Sequence, residues 1–498
     1  MGRAASGAGP AGRPAGHDVV IPLTVAEIAG VLGTPLLGPG DESALVTALT
    51  ADSRALVPGA LFVALPGERA DGHDYVALAT AAGAAASLTR YPVDGALCLV
   101  VVDPLVALGR LSRYLVERSS AAGLQVVGIT GSVGKTSAKD LLAQVLEQAG
   151  PTVAATGNLN NELGVPLTVG RIDAETRYLV VEMGARGIGH IGYLCEIAPP
   201  QVGVVLNVGQ AHVGEFGGQT AIAQAKGELV ECLPANGWAV LNADDRLVWA
   251  MRRRTTARVL PWSTSQQLTE GVWASGLAGD AYGRYSFTLH ERRGAEPAQD
   301  ALVQLGLAGR HQVSNAVAAA AAALALGVEL DQVAAALGAA APRSRWRMEL
   351  HDRPDGVTVI NDSYNANPDS MRAALSTLAE LGGTGRQTWA VLGDMLELGD
   401  TAAHEHEAIG RFAAQIGVEH LVAIGEHAKR MTKAAVDAGL PPASAVAVAD
   451  KPEVVAMLTA GLGPGDVVLV KASRGLALDT VADDILTAVP PLPPEDPG

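Results

Sequence analysis

Three cysteines in 498 residues, Cys98, Cys195 and Cys232, are too few and too far apart for a disulfide scaffold or a paired-cysteine metal site. Their scarcity fits a reducing, cytoplasmic setting, with Cys98 and Cys195 read as buried small residues in apolar stretches. Lysine is also rare: 7 lysines and 29 arginines make up the 36 basic residues. Any lysine inside a glycine-rich or acidic motif therefore invites a functional reading. No uncharged apolar run reaches the roughly 18 residues needed to cross a bilayer. The longest, Ala316 to Val328, is alanine-rich and predicts a buried helix. Met1 to Gly16 holds arginines but no apolar core, so it reads as a disordered tail and not a signal peptide. A net charge of −16 without a basic stripe argues against nucleic acid and against a membrane surface. A small anionic ligand stays compatible, because screening confines charge effects to about 8 Å and a few local cations can govern a pocket.

The chain has 48% hydrophobic residues, enough for several buried cores, and at roughly 150 residues per domain its length suggests three domains. Between disordered tails at 1–16 and 490–498, three regions separate: 17–112, 113–341 and 342–489. The first mixes turns and short strands, with Leu61 to Leu65 a buried strand between Pro-Gly pairs. The second opens with a strand, Leu124 to Thr130, then a glycine-rich loop. A helix follows whose apolar residues recur at Ala138, Leu141, Leu142, Val145, Leu146 and Ala149 before Gly150-Pro151. Further strands are expected at 178–181, 202–206 and 238–241. The third region alternates strand and helix, with strands at 357–360, 389–392, 421–424 and 467–470. That alternation predicts an α/β, doubly wound parallel sheet.

The loop Thr130-Gly131-Ser132-Val133-Gly134-Lys135-Thr136 has the composition of a phosphate cradle. Glycines let the backbone approach phosphate oxygens and aim N–H groups at them, and the helix N-terminus adds partial positive charge. Lys135 is placed to neutralise the outer phosphates and the Thr136 hydroxyl to ligate Mg²⁺. The position five residues before Gly134 is Ile129, so this is a shorter variant of the general pattern. Gly187 to Gly192 also matches G-x-G-x-x-G, a weak signal in a chain with 58 glycines.

A nucleoside triphosphatase with such a loop needs an acid at the end of a neighbouring strand to hold Mg²⁺. Glu182, after the apolar 178–181 run, is that candidate. His212 follows another strand, although Mg²⁺ prefers oxygen ligands and a lone histidine is commonly structural. Lys226 by itself reads as a surface helix lysine. The His404-Glu405-His406-Glu407 run reads as surface or local-contact residues, because i and i+2 diverge on a helix.

Taken together these residues resemble the Mur ligase family. The matching segments are DSR (52–54) with DGHD (71–74), TGSVGKT (130–136), TGNLNNELGVPLT (156–168), VVEMGA (180–185), NVGQAHVGEFG (207–217), AKGEL (225–229), GRHQVSNA (309–316), NDSYNANPDSM (361–371), VLGDMLELG (391–399) and VKASRG (470–475). The resemblance implies three domains: a UDP-substrate domain, a central P-loop-type ATPase domain and a C-terminal Rossmann-like domain. It implies that Ser53, Arg54, Thr156, Asn160 and Asn161 contact the UDP-linked substrate. Asn315, Arg347 and Asp362 would contact ATP. Glu182, His212 and Lys226, the last as a carbamate formed with CO₂, would join Thr136 around magnesium, with Lys135, Glu182, His212 and Lys226 catalytic. Arg343 and Arg345 lie close enough to compete with Arg347 for its role. The implied activity is ATP-dependent ligation of D-alanyl-D-alanine to a UDP-N-acetylmuramoyl-tripeptide in peptidoglycan precursor synthesis, by a cytoplasmic monomer. A sibling ligase adding a single amino acid, to a muramyl peptide or a folate, is the near alternative. A nucleotide switch is a distant one, since no NKxD guanine motif occurs.

Overall fold

The computed structural model describes residues 22–67, 70–209, 218–383 and 385–488. The tails expected at 1–16 and 490–498 lie outside these residues, as does His212. The chain forms two compact units, one of Met1–Gly123 with Glu162–Thr176, the other of Leu124–Asn161 with Arg177–Gly498.

The first unit is built on a five-stranded sheet of β1 (Leu36–Leu37), β2 (Ala48–Thr50), β3 (Ala60–Val63), β4 (Ala86–Thr89) and β5 (Cys98–Val100), in the order β1-β5-β4-β3-β2. Every residue of β3 and β4 is buried, as a strand covered on both faces requires. The helix Pro104–Ala121 starts with proline in its first turn. Asp103 accepts the Leu105 N–H at 2.8 Å, satisfying a donor that the helix itself cannot.

The second unit holds two sheets. The larger has nine strands: β6 (Gln125–Thr130), β7 (Thr152–Ala154), β8 (Tyr178–Glu182), β9 (Val202–Val205), β10 (Trp238–Asn242), β11 (Arg258–Ser263), β12 (Gly271–Gly279), β13 (Arg284–Arg292) and β14 (Gln299–Ala308). Their order is β14-β13-β12-β11-β10-β9-β6-β8-β7. The strands from β6 to β11 run parallel and the apolar runs of β6, β8, β9 and β10 are buried, so the strand expectations at 124–130, 178–181, 202–206 and 238–241 all fall on strands. The antiparallel extension β12–β14 was not expected from sequence. It buries alternate residues, Phe287 and Leu289 on one strand and Val303 and Leu305 on its neighbour. Helix α1 (Lys135–Glu147) follows β6, α2 (His190–Ile197) follows β8, and α3 (Gln219–Glu231) follows β9. Helix α4 (His311–Ala325) is the buried alanine-rich helix, with Ala316 to Ala323 at most 2% exposed. Small side chains let α1 and the sheet approach it closely.

The six-stranded sheet comprises β15 (Glu349–Asp352), β16 (Thr358–Asn361), β17 (Thr388–Gly393), β18 (His420–Ile424), β19 (Ala445–Val448) and β20 (Val467–Lys471), ordered β15-β16-β20-β17-β18-β19. All pairs but β15–β16 are parallel. Alternate residues feed two cores. Ile360, Leu392, Leu421 and Leu469 pack on α5 (Pro368–Gly382) and α6 (Ala402–Gln415), while Val359, Val391, Val422 and Val468 pack on the opposite face. This is a doubly wound layer. The chain reaches it through a strap tied to α1. Gln144 exchanges two 3.0 Å hydrogen bonds with the Ala341 backbone, and Arg343 grips Glu147 with both terminal nitrogens, at 2.6 and 2.5 Å. Among the described residues no helix is long and apolar enough to cross a membrane.

Candidate active site

Strand β6 ends at Thr130 and α1 begins at Lys135, so the intervening loop lies at the carboxyl edge of the parallel sheet, where such folds bind ligands. Gly134 caps α1 at φ +83°, a left-handed conformation that costs other residues strain. A Cβ there would also stand 2.4 Å from the Asn315 Oδ1. Asn207 braces the loop from β9's end: its Oδ1 accepts the Ser132 and Val133 N–H groups at 2.9 and 3.0 Å, and its Nδ2 donates to the Val133 carbonyl at 3.1 Å. The Lys135 ammonium donates to the Gly131 carbonyl at 2.9 Å. Burial pushes its pKa down, Glu182 pulls it up, and Arg347 adds to the lowering.

The sheet register sets Glu182 of β8 opposite Ile129 of β6, one residue short of the loop. The Thr136 hydroxyl donates to Glu182 Oε2 at 2.7 Å, and the Asn160 amide donates to Oε1 at 2.8 Å. Both carboxylate oxygens are thus oriented, and Glu182 is only 2% exposed. A hydroxyl and a carboxylate side by side are hard oxygen donors and suit Mg²⁺. Among the described residues no group of three or more His, Cys, Asp or Glu forms a metal cage.

Lys226 sits on α3 and is 6% exposed, not the surface lysine that its sequence neighbourhood suggested. Ala225 and Gly227 beside it leave room for the chain to pack closely. Burial drives its pKa well below the ordinary value, and the nearby Lys135 charge pushes the same way. Both effects disfavour the charged ammonium.

From the six-stranded sheet, Asp362 follows β16. Its Oδ2 accepts from the Lys471 ammonium at 2.7 Å and its Oδ1 from the Met348 N–H at 3.1 Å. Lys471, nearly fully buried, also donates to the Asn365 carbonyl at 2.8 Å. The Arg347 guanidinium lies 4.2 Å from the Tyr364 ring centroid, and Arg474 lies 4.2 Å from that of Trp346. Arg345 stacks more loosely on Trp346 at 5.2 Å, and Arg343 is committed to Glu147. Asn315 is buried and donates to the Gln312 side chain at 2.9 Å while facing Gly134.

The structure thus brings Lys135, Thr136, Glu182, Asn160 and Asn315 together around the loop and sets Lys226 close to Lys135. Thr156 and Asn161 are exposed on the segment that leads to and from Asn160. In the first unit, Ser53 and Arg54 occupy a single helical turn, with Arg54 ion-paired to Asp52 at 2.8 Å. His212 lies outside the described residues. Sequence reasoning passed over Asn207 and Lys471 as individual residues. The signals were their motifs, an asparagine closing an apolar strand and a lone lysine ending another. It also read His406 as a surface or local-contact residue, and the structure gives it the local contact but not the surface place. That ring is fully buried, its Nε2 accepts the Met395 N–H at 2.9 Å, and its Nδ1 lies 2.6 Å from the Ala402 carbonyl.

Comparison with known proteins agrees with this layout. The sequence pattern of the Mur ligase middle domain matches residues 129–323, that of the Mur ligase glutamate ligase domain 346–474, and that of the Mur ligase family catalytic domain 45–103. The UDP-N-acetylmuramoyl-tripeptide–D-alanyl-D-alanine ligase of Mycobacterium bovis is 47% identical, covering 94% of this chain and 98% of its own. The Escherichia coli enzyme of the same name is 35% identical over 93% of this chain and 98% of its own. A crystal structure of MurF from Acinetobacter baumannii superposes with a TM-score of 0.83 at 31% identity, covering 94% of this chain and 99% of that one. MurF ligase from Thermotoga maritima, solved in complex with ADP, gives 0.74 at 25% identity over 89% and 98%. With this agreement running from the first sheet to the last, the chain belongs to the Mur ligase family.

Proposed function

We propose that this protein joins D-alanyl-D-alanine to the free carboxylate of a UDP-N-acetylmuramoyl-tripeptide while converting ATP to ADP and phosphate. The observation that carries the reading is the Thr136–Glu182 pair at the mouth of the phosphate loop with a buried Lys226 nearby. The activity is the one in the names of relatives that align with nearly the whole chain.

A carboxylate resists amine attack because its carbon shares a delocalised negative charge. Phosphorylation supplies a leaving group: a carboxylate oxygen bonds the γ-phosphorus, the bond to ADP breaks, and an acyl phosphate results. The dipeptide amine then attacks the acyl carbon, and phosphate departs from the tetrahedral intermediate. The chain's task is to align two anions and to offset their repulsion. Lys135 and the first N–H groups of α1 receive the outer phosphates. Thr136 and Glu182 are the donors for Mg²⁺, which when bound supplies positive charge at the phosphates. Lys226, reacting as a free amine with CO₂, becomes an anionic oxygen donor. With His212 it would complete a second cation site. Asn315, Arg347 and Asp362 are assigned to the nucleotide. Ser53, Arg54, Thr156, Asn160 and Asn161 are assigned to the UDP-linked substrate, with Asn160 also orienting Glu182. The division of labour follows residues 17–112 for UDP, 113–341 for ATP and 342–489 for closing the site. A cytoplasmic monomer completes the proposal.

The test supplies UDP-muramoyl-tripeptide, D-alanyl-D-alanine, ATP, Mg²⁺ and bicarbonate, and follows ADP formation and product mass. A pentapeptide product that needs both acceptor and dipeptide is expected. Equal or greater turnover with single amino acids would move the protein to a sibling activity. ADP formation indifferent to both substrates would overturn the proposal.

A further inference from the structure

Lys471 ends β20 and is only 2% exposed, yet no step of the ligation uses it. Parallel pairing of β20 with β16 sets Val470 opposite Asn361, so Lys471 arrives beside Asp362. Its ammonium donates to Asp362 Oδ2 at 2.7 Å and to the Asn365 carbonyl at 2.8 Å. A buried ammonium is costly unless it is paired and hydrogen-bonded, and here it is both. The backbone N–H of Asp362 also donates to the Val470 carbonyl at 2.9 Å. The carboxylate is thereby fixed from the β20 side.

The other carboxylate oxygen faces the segment that carries Arg347. Asp362 Oδ1 accepts the Met348 N–H at 3.1 Å, and the Trp346 carbonyl accepts the Tyr364 N–H at 3.1 Å. Trp346 and Met348 have φ of +60° and +51°, left-handed values that bulky side chains adopt only where their surroundings impose them. Arg347 stands between these two strained residues, so its direction depends on their keeping that conformation. Its guanidinium lies over the Tyr364 ring, 4.2 Å from the centroid, and its charge is felt at Lys135 of the phosphate loop.

We infer that Lys471 is a positioning residue for the nucleotide: through Asp362 it holds the Trp346–Met348 backbone and so aims Arg347. The inference rests on the assignment of Arg347 to ATP. Lys471 itself touches no reactant. It keeps the Asp362 carboxylate turned toward the Met348 N–H, and without that anchor the strained backbone is free to relax and to carry Arg347 with it. Moving a substrate-aligning group by about 1 Å costs on the order of 10²-fold in rate.

A double-mutant cycle on the full-length protein separates aiming from general support of the fold. ADP formation is followed against ATP concentration in the wild type, Lys471→Met, Arg347→Ala and the double variant. Lys471→Met is expected to lower kcat/KM for ATP by about 10²-fold in the wild type, but by only about threefold or less once Arg347 is gone. The KM for the UDP-linked substrate is expected to stay unchanged. Circular dichroism checks each fold; if Lys471→Met does not fold, Lys471→Gln, which retains a donor for the Asn365 carbonyl, takes its place in the cycle. Wild-type use of ATP by Arg347→Ala would withdraw the assignment of Arg347, and the inference with it. An impaired Arg347→Ala in which the Lys471 substitution costs as much as it does in the wild type would leave that assignment standing and overturn the inference alone.

Discussion

The Thr136 hydroxyl and the Glu182 carboxylate, 46 positions apart in the chain, meet at 2.7 Å because parallel pairing of β6 and β8 ends both strands at the same edge. The bond pre-orients two oxygen donors before any cation arrives. Preorganised donors act without the reorganisation cost that water would incur.

Replacing Glu182 by glutamine keeps an acceptor for Thr136 but removes the charge. Turnover is expected to fall about 10²–10³-fold, and the Mg²⁺ concentration for half-maximal activity to rise. An unchanged Mg²⁺ titration of ADP release would show that Glu182 does not serve the ion.

Lys135→Ala removes the only cation on the loop itself, and ATP-dependent ligation is expected to drop at least as far. The fold is expected to survive, because among the described residues Lys135 makes one hydrogen bond, to the Gly131 carbonyl. Circular dichroism checks the fold and ADP formation checks the loss; near-wild-type turnover would take the loop out of the reaction.

Lys226→Ala is expected to abolish ligation, with acetate or another short carboxylate restoring part of it. Burial lowers the Lys226 pKa and so favours the free amine, the form that combines with CO₂. Full activity in carefully bicarbonate-free buffer would speak against the carbamate.

Gly134→Ala forces a side chain into the left-handed conformation and against Asn315. A stability loss of about 1–3 kcal/mol is expected, together with weakened ATP binding. Thermal unfolding with and without ATP separates the two effects.

Burial depresses the pKa of His406 from 6.5. The unfolded chain then binds a proton below pH 6.5 that the folded chain refuses, so stability declines as pH falls through that window. The ring also accepts the Met395 N–H, which a protonated ring cannot do. His406→Leu is expected to be less stable at pH 8 by about 1–3 kcal/mol, yet to show a shallower decline between pH 6.5 and 5. Parallel slopes in denaturant titrations would dismiss His406 as a source of the acid sensitivity.

The loop and Glu182 were readable because their signals are local: glycines between a strand and a helix, and an acid closing an apolar run. Lys226 was not, because Ala and Gly neighbours carry no apolar stripe, and only packing shows that the lysine is inside. His406 was judged by its sequence neighbours, whereas its decisive contact is with Met395, eleven residues back. Strands β13 and β14 alternate buried with more exposed residues, a fainter pattern than the continuous runs of the parallel strands.

Helix α1 begins where the triphosphate would sit and ends where Glu147 grips Arg343. Its 13 residues make a rod about 20 Å long. One continuous element therefore spans the distance between the glycine-rich loop and the segment that leads into the last sheet, so the two ends of the second unit are braced on the same rod.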